Sequence, residues 1–393
     1  MKKLMRFSLP VAFILMILAS HEGSAQSDLL LEVTNPLKLE RGNEMVTLSW
    51  NEVRKYLPSA DPASVILRGS DKGEAIPLQA MDTDQDGTVE ELLFLVDLKA
   101  MEKKSFILRE GKSPRPAVPS MTDARFMIPR EDLAWENDRV AFRMYGPSLG
   151  AEVNNGVDVW CKRVRSLILE KWYKADESKT ASYHIDHGEG ADFFAVGRTL
   201  GGGGSALWKD DSLYQPGVFE SHTIIATGPL RAVFELQYKA VSFEGKQVRE
   251  TRRVTLDAGQ NLNRFDVTYG GISGGGQLTV AAGVVKRNNV SSKTSKEHHW
   301  GSLFGMTTEK EEDGSLGTAI LMPQSAFKKF REDKTHLLIL GNAEVGKPLT
   351  YYAGGGWTRS GDFRNVADWE AYLDEYALRL KSPLTVHVTQ RTR

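Results

Sequence analysis

The sequence predicts an all-β protein: a small N-terminal immunoglobulin-like sandwich, then a large β-supersandwich with a short C-terminal helix. Three observations carry this. Residues 28–112 hold short apolar–polar alternations at close spacing, such as "LLLEVTNPL", "MVTLSWNEV" and "ELLFLVDL". That is the period-2 pattern of half-buried strands, and many short strands suggest a small sandwich. Later runs, such as "ESHTIIATGPLRAVFELQYKAVSF" and "QVRETRRVTLDAG", are longer and need a sheet-on-sheet core. Only "NVADWEAYLDEYALRL", residues 365–380, sets apolar side chains at helical spacing, with Ala367, Trp369, Tyr372, Leu373 and Tyr376.

Along the chain, residues 1–25 stand apart. Lys2, Lys3 and Arg6 precede an apolar run from Leu9 to Ala19, followed by Gly23, Ser24 and Ala25. This is the plan of a secretory signal peptide cut after Ala25. The run is too short for a permanent membrane helix, and no cysteine follows it to carry a lipid anchor. The expectation is a periplasmic or secreted protein of a Gram-negative bacterium, without membrane anchoring. Residues 26–112 form the small sandwich. Residues 113–124 lie in "GKSPRPAVPSMTDA", a polar span with three prolines, and read as a linker. Residues 125–393 form the large unit that carries the site. The loops "GGGGS" and "GGISGGG" join strands rather than a strand and a helix, so neither reads as a phosphate loop.

The formal net charge is −1 over 393 residues. Nucleic acid is thereby excluded as a partner, because phosphate binding needs a basic excess. A single cysteine, Cys161, excludes an intrachain disulfide and reads as a buried strand residue. No pattern in the chain specifies an oligomeric state, and none requires a cofactor.

Several stretches carry chemistry. "SYHIDHGEGADFF", residues 182–194, places His184 and His187 among Asp186, Glu189 and Asp192, beside Gly188 and Gly190. A strand would throw the two rings onto opposite faces, whereas a glycine-broken loop can turn both into one cleft. Histidine suits proton transfer near neutral pH, and Asp186 or Glu189 could orient a ring. The same residues also fit zinc, although not at a helical zinc spacing, or a plain Asp- and Gly-rich surface turn. In "AWENDRVAFRMYG", Trp135 offers a stacking face, and Asn137, Arg139 and Arg143 offer donors for a carboxylate. An interdomain salt-bridge cluster fits them equally well. Lys171 and Trp172 in "KWY", His298 and His299 in "SKEHHWG", and Trp357 in "YYAGGGWTRSGDF" complete the candidate sugar contacts, since flat rings pack on pyranose CH groups. "MDTDQDGTVEE" alternates Asp82, Asp84 and Asp86 before Gly87, with Glu91 as a fourth ligand. It fits either a structural calcium loop or a solvated acidic turn, and it is no EF-hand, because the twelfth position is Leu93.

"DLAWENDRVAFRMYGPSLG", "VDVWCKRVRSLILEKWY", "SYHIDHGEGADFFAVGRTLGGGG", "GPLRAVFELQY", "TLDAGQNLNRF" and "YYAGGGWTRSGDF" occur in that order over nearly the whole mature chain. In this the sequence resembles a family of secreted Bacteroidota proteins known by a domain of unknown function, encoded in polysaccharide-utilisation clusters. The large unit is similar to the galactose-mutarotase-like supersandwich of sugar epimerases and of several polysaccharide-lyase modules. The resemblance implies an acidic oligosaccharide as partner and β-elimination at a uronic acid as the chemistry. On that scheme His184 or His187 is the base, and Tyr145 or Tyr183 is the acid. Arg139, Arg143 and Asn137 hold the carboxylate, and Glu189 contacts the sugar. Hydrolysis by Asp186 and Glu189, mutarotation, and sugar binding without catalysis are the alternatives.

Overall fold

Strand Asp28–Thr34 buries Leu29, Leu31 and Val33 at every second position. That face needs a partner sheet, and Val46, Leu48, Leu92, Phe94 and Val96 supply one. The computed structural model describes residues 28–70, 73–272 and 275–391, so the leader expected over residues 1–25 lies outside the described residues. The first unit is a sandwich of a five-stranded and a three-stranded sheet, with Phe94 edge-on to Phe106 at 5.5 Å in its centre. Its outermost strand comes from the other end of the chain: Thr385–Arg391 pairs antiparallel with Asp28–Thr34. An expectation that all of 125–393 belongs to the large unit is corrected here. The reason is local, since strand Asp28–Thr34 would otherwise present an open edge.

In the large unit a nine-stranded sheet runs from Phe219–Ala226 to Val290–Ser295. Phe234, Val254, Phe265 and Tyr351 point inward to one core shared with two five-stranded sheets. One of those sheets contains Gly202–Lys209, which approaches closely. A Cβ on Gly203 would lie 2.4 Å from that of Ala353, and Tyr351 donates to the Gly203 carbonyl at 2.8 Å. The other contains Asp132–Asn137, Ala141–Met144 and Val157–Lys162, and it ends on the two-residue strand Gly190–Ala191.

Helix Val366–Lys381 follows the expected spacing and packs Trp369, Leu373 and Ala377 on the nine-stranded sheet. Asn365 caps it, accepting from the N–H groups of Ala367 and Asp368. A second helix, Leu169–Glu177, was not expected, since its residues read as the end of a strand. Leu169, Trp172 and Tyr173 fall on one face and bury against Trp160. Its first turn is capped from a distance: the buried Glu136 side chain accepts from the N–H groups of Ile168 and Leu169 at 2.7 and 2.8 Å.

Candidate functional site

The chain leaves strand Val157–Lys162, turns through helix Leu169–Glu177, and returns through the 182–192 loop to pair again with Cys161 and Lys162. Gly190 closes the return at φ +115°, where a Cβ would strike the Cys161 carbonyl at 2.0 Å. Only glycine fits there. The loop is held by its own acids. Asp186 accepts from the N–H groups of Gly188 and Gly190 at 2.7 and 3.0 Å and pairs with Arg163. Glu189 takes Lys171 at 2.7 Å and the Trp172 indole N–H at 3.1 Å. The Lys171 and Trp172 hydrogen bonds hold its carboxyl below the usual carboxylate range. Between helix and loop lies a pocket of about 160 Å³ walled by Lys171, Trp172, Tyr183, Ile185, His187 and Glu189. Five of these six were read from sequence as site residues, and the fold brings them together.

His184 stands beside the pocket with 59% of its side chain exposed. Its Nδ1 lies 3.1 Å from the backbone carbonyl of Asp192. A carbonyl can only accept, so Nδ1 carries the proton, and Nε2 is left with its lone pair. An Asp192 carboxyl oxygen lies 3.5 Å from the same Nδ1. Behind it sits a buried charge cluster. Arg143 donates to Asp192 at 2.8 Å, to Asp158 at 2.6 Å, and to the hydroxyls of Tyr145 and Tyr183 at 2.9 and 3.0 Å. Asp132 is 3.8 Å away. Burial, then the neighbouring Asp158, pushes the Asp192 carboxyl well up. Burial likewise pushes Asp132 up to about 6, and its Oδ1 has no hydrogen-bond partner among the described residues. The Tyr145 and Tyr183 hydroxyls are raised by burial and stay protonated.

Other expectations are corrected. Trp135 is fully buried and donates to Asn263 at 2.7 Å, so it offers no stacking face. Asn137 spends its amide on the carbonyls of Asp257 and Gln260, both at 2.7 Å. Arg139 is taken by Asp138 and Asp362. Arg143 is 4% exposed and committed to its carboxylates. Tyr145 and Tyr183 turn their hydroxyls toward Arg143, and Tyr183 also accepts from Arg130 at 2.7 Å. Trp357 is buried with its N–H on the Asp313 carbonyl, although the Arg163 guanidinium covers its ring at 5.0 Å. His298 and His299 meet Glu297, Asp374 and Phe327, none of them in the loop. The sugar contacts expected at Trp135 and Trp357 are therefore replaced by a small pocket on the helix–loop edge. Asp158 and Arg130 were missed, since each lies in a stretch that reads as ordinary strand or turn.

The acidic turn in the small sandwich does converge. Ligand atoms of Asp82, Asp84, Asp86 and Glu90 lie within 4.8 Å of one another. Glu90 takes the place expected for Glu91, because strand alternation turns Glu91 the other way, 3.8 Å from Arg231. Asp82 Oδ1 is shut off from solvent without a partner among the described residues, and an all-oxygen set suits a hard cation. Among the described residues no other group gathers three such ligands, so the histidine loop is not built as a zinc site.

Residues 33–386 match the family described as a domain of unknown function, DUF4861. The chain belongs to this family. A relative, "Uncharacterized protein P7" of Formosa agariphila, is 32% identical over 378 residues, spanning 91% of this chain and 93% of its own. Among solved structures, a protein in the glycosyl hydrolase family 38 from Enterococcus faecalis superposes with a TM-score of 0.52 at 10% identity. The superposition covers 93% of this chain and 48% of the other, so the present chain spans about half that protein's length. At this identity the likeness is one of fold, and it agrees with the β-supersandwich.

Proposed function

We propose that this DUF4861 member is an exported, carbohydrate-active enzyme acting on acidic, uronate-containing oligosaccharides by β-elimination, with His184 as the base. One observation carries the reading: the exposed His184 is held through Nδ1 by the Asp192 carbonyl, and its chain neighbours Tyr183 and Ile185 line a pocket. In the step, Nε2 takes the C5 proton of the uronate. The C5–H electrons form the C4=C5 bond, the C4–O bond breaks, and the departing oxygen takes a proton. His187, on the pocket wall, is the acid in place of the inward-turned tyrosines. Lys171 and Arg163, paired with Glu189 and Asp186, are more exposed than Arg139 or Arg143 and would have to turn from those partners to neutralise the carboxylate. The resemblance in fold to a glycosyl hydrolase supports the carbohydrate class by analogy, and the leader supports export.

Hydrolysis by Asp186 and Glu189 is less well served. A hydrolase needs one carboxyl raised to act as acid, whereas Glu189 is held ionised by Lys171 and Trp172. Asp186 is spent on the loop backbone. The test is incubation with uronate-ended oligosaccharides, followed in the ultraviolet. Elimination yields a conjugated, absorbing product. Reducing ends without absorbance would sink it in favour of hydrolysis, and affinity without turnover would favour binding alone.

The Asp82–Glu90 turn is proposed to hold calcium in a structural role, bracing the loop that carries Thr83 against the large unit.

A further inference from the structure

Strand alternation in the nine-stranded sheet leaves a polar outer face, and the small sandwich only partly covers it. Between them is a cavity of about 580 Å³, closed at one end by the last turn of helix Val366–Lys381. Its volume lies in the range of small-ligand sites. Four arginines and four carboxylates line it, so the wall carries no net charge. The pairing is planar: Arg231 forks Asp257 at 2.5 and 2.9 Å, and Arg264 forks Asp266 at 2.8 and 3.0 Å. Each fork uses Nε and Nη2 and leaves Nη1 outside the fork, that of Arg231 lying 3.8 Å from Glu91. Donor and acceptor then sit side by side, the arrangement that vicinal hydroxyls satisfy. Tyr352 and Tyr376, edge to face at 5.5 Å, add an aromatic wall. At the closed end Arg379 binds Glu44 at 3.2 Å through Nη1, while its buried Nε has no partner among the described residues.

We infer that this interdomain cavity is a second binding site, distinct from the histidine loop, for a neutral saccharide of two or three residues. An acidic sugar is disfavoured, because every guanidinium there already faces a carboxylate and an added anion would meet Asp257, Asp266 or Glu44. The ligand class rests on the carbohydrate reading above but not on elimination. It would let the protein hold a neutral stretch of a mixed chain while the loop meets a uronate.

The test uses the full mature chain. Calorimetric titration with maltotriose, cellotriose, xylotriose and galactotriose is compared for wild type, for Arg264→Ala with Asp266→Ala, and for Thr255→Trp, which fills the cavity from the sheet. The paired alanines remove both charges from the outer face together. The proposal expects at least one neutral trisaccharide to bind, and each variant to weaken it by about tenfold or more. His184→Ala should leave that affinity unchanged, which separates this site from the loop. The proposal is overturned if no neutral trisaccharide binds wild type, if binding survives in both cavity variants, or if only uronate-ended sugars compete. Loss of binding in His184→Ala alone would place the ligand at the loop and also overturn it.

Discussion

Asp132 shows how much the buried cluster behind the loop costs. Its carboxyl is fully buried, faces Arg143 only at 3.8 Å, and is pushed up to about 6 by burial from an ordinary 3.8. A raised carboxyl favours the protonated folded state, so stability falls as pH rises from about 4 to about 6 and stays lower above that. The full penalty is at most ~3 kcal/mol. Asp132→Asn keeps the acceptor for the Tyr173 hydroxyl and removes the charge. Urea unfolding should find the variant more stable than wild type at pH 8, with the difference shrinking toward pH 4; a variant weaker at pH 8 would contradict this. None of it was legible in the sequence. The density of titratable groups in 182–194 could be read, and so could Lys171, Trp172, Tyr183, His187 and Glu189 as neighbours. That Arg143, Asp158 and Asp192 close on one another behind them depends on strand pairing far apart in sequence.

Among the elements, helix Leu169–Glu177 was concealed by the sequence. Nine residues give only about two and a half turns, and its N-terminal signal sits on another strand as Glu136. Glu136 also takes Lys162 at 2.5 Å, both wholly buried. Glu136→Ala leaves Lys162 uncompensated and two helix N–H groups open, a loss of about 3–5 kcal/mol. Amide exchange should show the first turn of the helix losing protection first. Helix Val366–Lys381 was legible because it is long, periodic and capped by Asn365. The acidic turn was half legible. Three aspartates followed from spacing, but choosing between Glu90 and Glu91 needed the strand's orientation. Asp84→Ala should abolish a calcium-induced rise in melting temperature without changing turnover. A wild type indifferent to calcium would remove the cation from the account.

At the scale of the molecule, alternation in the long strands announced two β units, and the architecture follows it. Which tryptophans were core was not announced. Trp135 and Trp357 lie in glycine- and charge-rich stretches that look exposed, yet the inner face of the large sheet needs their volume. Nor did spacing show that Thr385–Arg391 returns to complete the first sandwich. What remains is a β frame with an exposed histidine, His184, oriented at its edge by Asp192. The most direct measurement of that claim is the rate of ultraviolet-absorbing product from a uronate-ended oligosaccharide, with binding of the same sugar, for wild type and His184→Ala. The account predicts a rate lower by about a hundredfold to ten-thousandfold with affinity largely kept. Wild-type turnover in His184→Ala would contradict it.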